Sequence, residues 1–275
     1  MLRRKDNLRC RWWIKKPLRR NQMTKNFSRI ALITGATSGI GEATARKFVS
    51  SGFAVVGNAR TKQKLELLEK EFGPLFTGVA GDASDERVIE TLFETSRSTY
   101  GNNPDIVVVN AGKGLGSSVT GADLERFEEI WKLNVSGALA LMKKSALIMV
   151  EMQKTNFPEK AADIVVLGSV VGRHISPFSA VYGSTKFALH SLTEGLRREI
   201  GPKGVRVTLV EPAVVVSGFQ EAAGYTPELV QNFHEKFGPL LDGGDIAEAI
   251  AYMVNCPPHV HVSDIMVRST RQDYP

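Results

Sequence analysis

Short, almost uninterrupted apolar runs alternate with helix-like segments along this chain, and that alternation restricts the folds open to it. Runs such as Ile106-Val107-Val108-Val109 and Ile164-Val165-Val166-Leu167 lack the polar alternation of a strand with one solvated face. They therefore predict strands covered on both faces, as in a parallel sheet. The predicted strands are 30–34, 53–58, 75–79, 105–110, 162–168, 205–210 and 262–267, and the predicted helices are 39–51, 61–72, 84–99, 123–152, 179–200 and 245–255. This order predicts an α/β fold, a single-domain doubly wound parallel sheet of about seven strands with helices on both faces.

The least regular part of the chain, 211–240, follows the sixth predicted strand. Within it, Thr226-Pro227-Glu228 has the composition of a helix start, because proline is favoured at the first helical position. Ligands of open α/β sheets bind beyond the carboxyl ends of the strands. We therefore predict that 211–240 forms a lid over a substrate.

A glycine-rich turn, Thr34-Gly35-Ala36-Thr37-Ser38-Gly39-Ile40-Gly41, joins the first apolar run to an alanine-rich helical segment. Glycines permit a tight turn and close backbone approach, and a helix N-terminus offers free N–H groups to a pyrophosphate. The alternative is a tight strand-to-helix connection that binds nothing. On the first interpretation, the residues that contact a dinucleotide are Gly35, Thr37, Ser38, Gly39, Ile40 and Gly41.

Tyr182 and Lys186 are four residues apart in a predicted helix, and Ser169 ends an apolar run thirteen residues upstream of Tyr182. Residues i and i+4 share a helix face, so the Lys186 ammonium would sit beside the Tyr182 phenol and lower its pKa from about 10. Ser169 could then hold the oxygen that Tyr182 protonates or deprotonates. Taken alone, such a pair is more often an ordinary helix surface, and its weight comes from the glycine turn upstream.

With these motifs in this order, roughly residues 28–268 resemble a short-chain dehydrogenase/reductase of the compact kind, which implies a Rossmann-type sheet. Further landmarks of that family have counterparts in Gly81-Asp82-Ala83-Ser84, in Asn110-Ala111-Gly112 and in Leu133-Asn134-Val135. The resemblance implies that Asp82 contacts adenine. It also implies a catalytic set of Ser169, Tyr182, Lys186 and Asn134, and cofactor contacts from Asn110, Ala111, Gly112, Tyr182, Lys186 and Pro212.

The roles implied by the resemblance are specific. Tyr182 would exchange a proton with the substrate oxygen, to which Ser169 would donate. Lys186 would also hydrogen-bond the nicotinamide ribose, and Asn134 would hold a helix distortion and a water. Simpler interpretations remain open, in which Ser169 caps a strand end, Asn134 is a buried polar group satisfied by backbone, Asn110 locks adjacent strands and Asp82 begins a helix.

One departure from the family's pattern follows the sixth predicted strand. The family usually has Pro-Gly there, whereas this chain has Pro212-Ala213. Alanine tolerates fewer backbone conformations than glycine, so the loop on the nicotinamide side is expected to differ slightly.

Cofactor choice is predicted from the end of the second strand, Val55-Val56-Gly57-Asn58-Ala59-Arg60. NAD-dependent enzymes usually place an acid there to accept from the ribose 2′-OH, and this chain has Ala59 followed by Arg60. A guanidinium can pair bidentately with a 2′-phosphate, which a carboxylate would repel. We therefore predict NADP(H), and the alternative is that Arg60 is a solvated surface residue.

The net charge of +6 is concentrated in the first 22 residues, which carry nine Lys or Arg and a single acid. The remainder is slightly negative, so nucleic acid is not an expected partner. The segment lacks the apolar region of a secretory signal. We predict that 1–22 is a basic, disordered extension upstream of a normal start at Met23, and that 23–275 is the dehydrogenase domain.

Other features concern environment and substrate. Only two cysteines occur and no run of about 18 apolar residues exists, which favours a cytoplasmic protein without a membrane span or a metal. The resemblance implies a homodimer or homotetramer built through 123–152 and 179–200. The ending, Asp264-Ile265-Met266-Val267-Arg268, is similar to relatives that act on small 3-hydroxy acids or similar alcohols. Residues expected near the substrate are Gly114, Leu115, Val170, Val171, His174, Phe178, Val214, Val216 and Phe219.

The predicted function is therefore an NADP(H)-dependent oxidoreductase that acts on a small carbonyl compound or secondary alcohol. The alternative is a non-catalytic NADP(H)-binding sensor on the same fold. An intact set of Ser, Tyr, Lys and Asn argues against a sensor, since a sensor has no need of all four.

Overall fold

The computed structural model describes residues 27–175 and 177–274, and these form one seven-stranded sheet. Every strand pair is parallel, and the order across the sheet is β3-β2-β1-β4-β5-β6-β7. The doubly wound parallel sheet predicted from the apolar runs is confirmed. The strands are β1 (Ile30–Thr34), β2 (Ala54–Ala59), β3 (Phe76–Ala80), β4 (Ile106–Val109), β5 (Ala162–Leu167), β6 (Val205–Pro212) and β7 (Asp264–Val267).

Nine α-helices lie in the described ranges, and six of them, α1, α2, α3, α5, α6 and α9, pack on the two faces of the sheet. They are α1 (Gly39–Ser50), α2 (Lys62–Phe72), α3 (Glu86–Tyr100), α4 (Leu124–Trp131), α5 (Ala138–Asn156), α6 (Ala180–Ile200), α7 (Phe219–Ala222), α8 (Pro227–Phe237) and α9 (Gly243–Val254). The single helix predicted at 123–152 is in fact α4 and α5 joined by a π-helical segment, Lys132–Gly137. The segment 211–240 contains α7, which the sequence pattern did not predict, and α8, which begins at the helix start predicted at Thr226-Pro227-Glu228.

Alternate residues of each strand pack into two separate cores, as a sheet buried on both faces requires. In β1, Ile30 and Leu32 face the core formed with α3, α5 and α6, whereas Ala31 and Ile33 face the core formed with α1, α2 and α9. All five residues of β1 are buried. Burying such side chains contributes about 1.5–3 kcal/mol each, so the sheet is the main source of stability.

The amino ends of the strands are tied together by buried ion pairs. Asp163 of β5 accepts from Arg206 of β6 at 2.7 and 2.9 Å, and from Arg29 at 2.8 Å. The Arg29 guanidinium also pairs with Asp105 at 3.2 Å. Because both arginines also donate to backbone carbonyls, no charge in this cluster is left without a partner.

The combined helical segment Leu124–Asn156 is long and apolar enough to cross a membrane by length and composition alone. Half of its most apolar window is buried inside the protein, which is the pattern of a helix packed on a core. The predicted extension 1–22 and its boundary with the dehydrogenase domain lie outside the described residues.

Candidate active site

The predicted glycine turn connects β1 to α1 at the carboxyl edge of the sheet. Gly35 and Gly39 have φ angles of 69° and 52°, a region that favours glycine. A side chain at Gly41 would overlap the Gly35 carbonyl and the Asn110 side chain. The turn therefore needs glycine at these three positions to bring backbone N–H groups to the surface of the cleft.

This turn fits the phosphates of a dinucleotide. Ser38 is the N-cap residue of α1, and its side chain makes no capping hydrogen bond. The first N–H groups of α1 are therefore not satisfied by the cap, and together with the helix dipole they form a site for an anion. A pyrophosphate requires a helix N-terminus next to a turn without side chains, because the phosphates must approach the backbone closely. The turn from Gly35 to Gly41 has this geometry.

Asn110 joins the glycine turn to the next strand end. Its Nδ2 donates to the Thr34 carbonyl at 2.8 Å, while the N–H groups of Asn110 and Ala111 both donate to Thr34 Oγ1 at 3.1 Å. These bonds fix the spacing of β1 and β4 where the two strands end. The structure agrees with the interpretation in which Asn110 locks adjacent strands. Gly112, two residues further on, is exposed.

Arg60 and Asp82 follow β2 and β3 and are both exposed. Asp82 accepts from the N–H of Ser84 at 2.9 Å and from its hydroxyl at 2.8 Å. The Ser84 backbone hydrogen bond is the main cause that holds the pKa of Asp82 below its usual value, and Lys132 and Arg60 add to it. Asp82 is thus a negatively charged group near Arg60, and it also orders the turn before α3.

Asn134 lies at the centre of the π-helical segment and is buried. It accepts from Lys113 N at 2.9 Å, donates to Lys113 O at 2.9 Å, and donates to Thr185 Oγ1 at 3.2 Å. The helix distortion expected at Asn134 is present as this π-helical segment. Such segments are common at functional sites. The side chain also ties the loop after β4 to α6, whose Thr185 hydroxyl donates to the Tyr182 carbonyl at 2.8 Å.

Ser169, Tyr182 and Lys186 come together beyond the end of β5. Tyr182 and Lys186 lie on α6, and the Lys186 ammonium is 5.8 Å from the centre of the Tyr182 ring. Lys186 Nζ also donates to the Leu167 carbonyl at 2.7 Å. Ser169 hydrogen-bonds the Tyr182 side chain, and its Oγ lies 3.4 Å from the Pro212 carbonyl that ends β6.

The expected lowering of the Tyr182 pKa by Lys186 is wrong for this structure. Burial, followed by the neighbouring Tyr225, raises the pKa of Tyr182 above its usual value, and the hydrogen bond from Ser169 only partly opposes this. Burial also lowers the pKa of Lys186 to about 8. Desolvation penalises the charged form of both groups, so at neutral pH Tyr182 carries its proton.

Part of the predicted lid covers this site. The ring centres of Phe219 and Tyr182 are 5.6 Å apart, and the N–H of Gly116 donates to the Ala223 carbonyl at 3.0 Å. A side chain at Gly114 would overlap Phe219 and Ala223. Segment 217–225 therefore packs directly on the loop after β4, and Phe219 lies beside the Tyr182 ring.

The Ala213 departure causes no distortion. No non-glycine residue in the described ranges has a positive φ, so alanine adopts its backbone conformation here without strain. The Ala213 N–H donates to the Val267 carbonyl at 2.9 Å and continues the pairing of β6 with β7.

Sequence reasoning did not single out every residue of the site. His174 and Phe178, expected near the substrate, are exposed. Thr185, Tyr225 and His190 were not predicted. The spacing of His190 could have indicated its place near the site, since it lies one turn beyond Lys186 on the helix face that carries Tyr182. No pattern marked Tyr225, which lies in the irregular lid.

Comparison with known proteins places this geometry in a family. Residues 29–227 match the family described as short chain dehydrogenase. An uncharacterized oxidoreductase of Staphylococcus aureus (strain MW2) is 30% identical over 247 residues, which cover 90% of this chain and 99% of that protein. An uncharacterized oxidoreductase of Staphylococcus epidermidis (strain ATCC 12228 / FDA PCI 1200) is 29% identical over 246 residues, with the same two coverages.

Solved structures with the same fold include two enzymes with bound nicotinamide cofactors. The closed form of serine dehydrogenase complexed with NADP+ has a TM-score of 0.79 at 26% identity, covering 89% of this chain and 96% of that chain. The 3-ketoacyl-(acyl-carrier-protein) reductase from Brucella melitensis complexed with NADH has a TM-score of 0.81 at 28% identity, covering 89% and 98%.

Proposed function

The chain belongs to the short-chain dehydrogenase family, and from that premise we propose that it is an NADP(H)-dependent oxidoreductase acting on a small carbonyl compound or on a primary or secondary alcohol. One observation carries the proposal. Buried Tyr182, hydrogen-bonded by Ser169 and lying beside Lys186, faces the same edge of the sheet as the glycine turn. A proton donor next to an anion cradle suits reduction by a dinucleotide.

In the proposed reaction, four residues act on the proton transfer or support the residues that carry it out. Tyr182 protonates the carbonyl oxygen during reduction and takes the proton back during oxidation of the alcohol. Ser169 donates a hydrogen bond to that oxygen as negative charge develops on it. Lys186 stabilises the phenolate that remains, and Asn134 positions the loop after β4 against α6. The raised pKa of Tyr182 keeps the donor protonated at neutral pH.

The cofactor would be held along the carboxyl edge of the sheet. Bound NADPH would supply the hydride that the carbonyl carbon accepts. Arg60 would pair with the 2′-phosphate and Asp82 would contact the adenine. The other residues that would hold the cofactor are Gly35, Thr37, Ser38, Gly39, Ile40, Gly41, Asn110, Ala111, Gly112, Tyr182, Lys186 and Pro212.

For the substrate we propose a small 3-hydroxy acid or a similar alcohol. Support comes from the lid, because Phe219 packs against the Tyr182 ring and a bulky substrate would have to displace it. Further support comes from the similarity to a serine dehydrogenase. L-Serine and 3-hydroxypropanoate with NADP+ are therefore the first substrates to assay.

We also propose that the protein is a cytoplasmic homodimer or homotetramer. Leu139 and Leu147 on α5 are 45% and 65% exposed, and Phe187 on α6 is 40% exposed. Such side chains on two adjacent helices form an apolar surface suited to association. Light scattering after size exclusion should give a mass of two or four chains, and a monomer at micromolar concentration would contradict it.

The cofactor proposal is tested by titrating the purified protein with NADPH and with NADH, followed by nicotinamide fluorescence. We expect NADPH to bind at least about tenfold more tightly, because a charge-assisted hydrogen bond contributes about 1.5–3 kcal/mol. Arg60→Ala should remove most of that difference. Lys154→Ala, at the far end of α5, removes the same charge and should not change it. Equal affinities in the unaltered protein would overturn the choice of NADP(H).

A further inference from the structure

His190 is a largely buried titratable residue to which the proposed reaction assigns no role. It lies on α6, four residues after Lys186 and eight after Tyr182, so the three side chains follow one face of the helix. Its side chain is 11% exposed. The face that carries the proton donor thus continues into a third polar group that points under the end of β5.

The His190 ring contacts the backbone that carries Ser169. The Ser169 N–H donates to His190 Nε2 at 3.3 Å. The ring lies so close to the backbone that a side chain at Gly168 or at Gly172 would overlap it. The turn Gly168–Gly172 therefore packs closely against the imidazole ring, and glycine occupies the two positions that the ring approaches.

On its other edge, His190 faces a buried carboxylate. His190 Nδ1 is 3.8 Å from Glu211 Oε2, and the Glu211 side chain is fully buried. Arg173, which follows the same turn, donates to Glu211 from Nε at 2.5 Å and from Nη2 at 2.7 Å. The carboxylate is thus neutralised by Arg173 and lies on the side of the ring away from Ser169.

The protonation state of the ring agrees with this geometry. Burial, then the charges of Lys186 and Arg173, lower the pKa of His190 to about 4. A neutral imidazole has one ring nitrogen with a free lone pair and one with a proton. Because Nε2 accepts from Ser169, the proton belongs on Nδ1, which faces the Glu211 carboxylate.

Apart from its hydrogen bond with Tyr182, the Ser169 side chain has only long contacts among the described residues. Its Oγ lies 3.4 Å from the Pro212 carbonyl and 3.4 Å from the Val171 N–H, both at the long end of the range for a hydrogen bond. Whether the hydroxyl reaches Tyr182 therefore depends on the backbone from which it projects. A small rotation of that backbone would move the hydroxyl away from Tyr182.

We propose that His190 is a positioning residue, which holds the Ser169 backbone through Nε2 while its Nδ1 lies toward Glu211, so that the Ser169 hydroxyl faces Tyr182. The kinetic consequence rests on the proposed function, whereas the tautomer and the hydrogen bond do not. The competing account is that His190 only fills space between α6 and the turn, in which case any side chain of similar volume would serve.

Two variants separate these accounts. In His190→Gln the amide oxygen can reach the position of Nε2 and accept from Ser169, whereas His190→Leu fills similar volume without an acceptor. Thr193→Val, one turn further along the buried face of α6, is the control for packing, since its hydroxyl bonds only to the Leu189 carbonyl among the described residues.

Kinetics are measured for oxidation of L-serine and 3-hydroxypropanoate with NADP+. For His190→Leu we expect kcat to fall at least tenfold, with KM for NADP+ within twofold of the unaltered enzyme, because the cofactor turn is unchanged. His190→Gln should recover kcat to within threefold, and Thr193→Val should match the unaltered enzyme. A kcat within twofold for His190→Leu, or no recovery by His190→Gln, would overturn the proposal.

A second measurement does not depend on turnover. Imidazole ¹⁵N spectra of the unaltered protein, assigned by the signal that His190→Gln lacks, should show a neutral ring with protonated Nδ1 and unprotonated Nε2 at pH 7. The Ser169 amide should also exchange with solvent at least tenfold faster in His190→Leu. A proton on Nε2 would refute the positioning role of His190 even if the protein oxidises neither L-serine nor 3-hydroxypropanoate. The expected spectrum from a protein that oxidises neither compound would support the positioning role and count against the proposed function alone.

Discussion

Tyr182 and Lys186 illustrate, at the scale of the residue, how burial outweighs charge in this site. The spacing of four residues predicted that the ammonium would lower the pKa of the phenol, and the two side chains do lie together. Both are so deeply buried that desolvation governs instead, raising the pKa of Tyr182 and lowering that of Lys186 to about 8. Sequence gives spacing, but it does not give the depth at which a pair is buried.

His190 provides a test of the same effect through the pH dependence of stability. Its pKa is about 4 in the folded protein, against about 6.5 in an unfolded chain. Between these values the unfolded chain binds a proton that the folded protein does not, so the free energy of unfolding falls as the pH drops from 6.5 to 4. The groups that face the ring are Lys186 from α6, Arg173 from the turn and Glu211 from β6.

We therefore expect His190→Gln to lose less stability than the unaltered protein between pH 7 and pH 4, by about 1–3 kcal/mol. Urea unfolding at both pH values measures the difference, and other titrating groups cancel because they are common to both proteins. Parallel pH dependence of the two proteins would show that His190 is not held neutral.

At the scale of the element, the strands were predictable and the interruptions of helices were not. Each apolar run became a strand within about two residues of its predicted ends, because continuous burial on both faces leaves a clear signature in sequence. The predicted helix 123–152 is broken at Lys132–Gly137 because Asn134 reaches across to the backbone of Lys113. That partner is distant in sequence, so no local pattern announces the break.

The lid was predicted as a segment with a helix start at Thr226-Pro227-Glu228, but the extent of α8 and the presence of α7 were not predicted. Helix α8 has no buried residue and α7 has four residues only, so neither packs into the core of the sheet. The Thr226 hydroxyl does cap α8 by accepting from the Leu229 N–H at 3.3 Å, as the helix start at this position predicted.

Asn134→Ala tests the structural part of this account. The N–H and C=O of Lys113 would lose their partners, and an unsatisfied buried polar group costs about 1–3 kcal/mol. We expect the free energy of unfolding in urea to fall by a few kcal/mol, with a larger effect on kcat than on NADPH affinity. Asn255→Ala, which removes a single side-chain bond to the Ala251 carbonyl, is the comparison. Equal stability losses in the two variants would contradict the role given to Asn134.

For the whole molecule, chemistry and stability lie at opposite edges of one sheet. The candidate site is built from segments that follow the carboxyl ends of β1, β2, β3, β4, β5 and β6, whereas the ion pairs of Asp163 join the amino ends. A parallel sheet makes this division predictable from order alone, because all strand ends of one kind share an edge. The closure of the lid and the support behind Ser169 were not predictable, since both depend on contacts between distant segments.

Asp163→Asn should therefore damage stability and spare chemistry. It would leave Arg206 and Arg29 with buried charges that have lost their main partner, and breaking such a pair costs about 3–5 kcal/mol. Thermal and urea unfolding should show that loss, while kcat of the protein that remains folded stays within twofold. Glu248→Gln, in an exposed pair with Lys47, is the control and should lose far less. A kcat that falls with stability retained would contradict the division.

The central claim is that Tyr182 exchanges the proton during hydride transfer, and Tyr182→Phe tests it most directly. The variant should keep NADPH affinity within twofold in a fluorescence titration, because the ring and its packing remain. Its kcat for L-serine or 3-hydroxypropanoate should fall at least about 100-fold, since a positioned general acid or base contributes about 10²–10⁴-fold. A kcat within threefold of the unaltered enzyme would contradict the account.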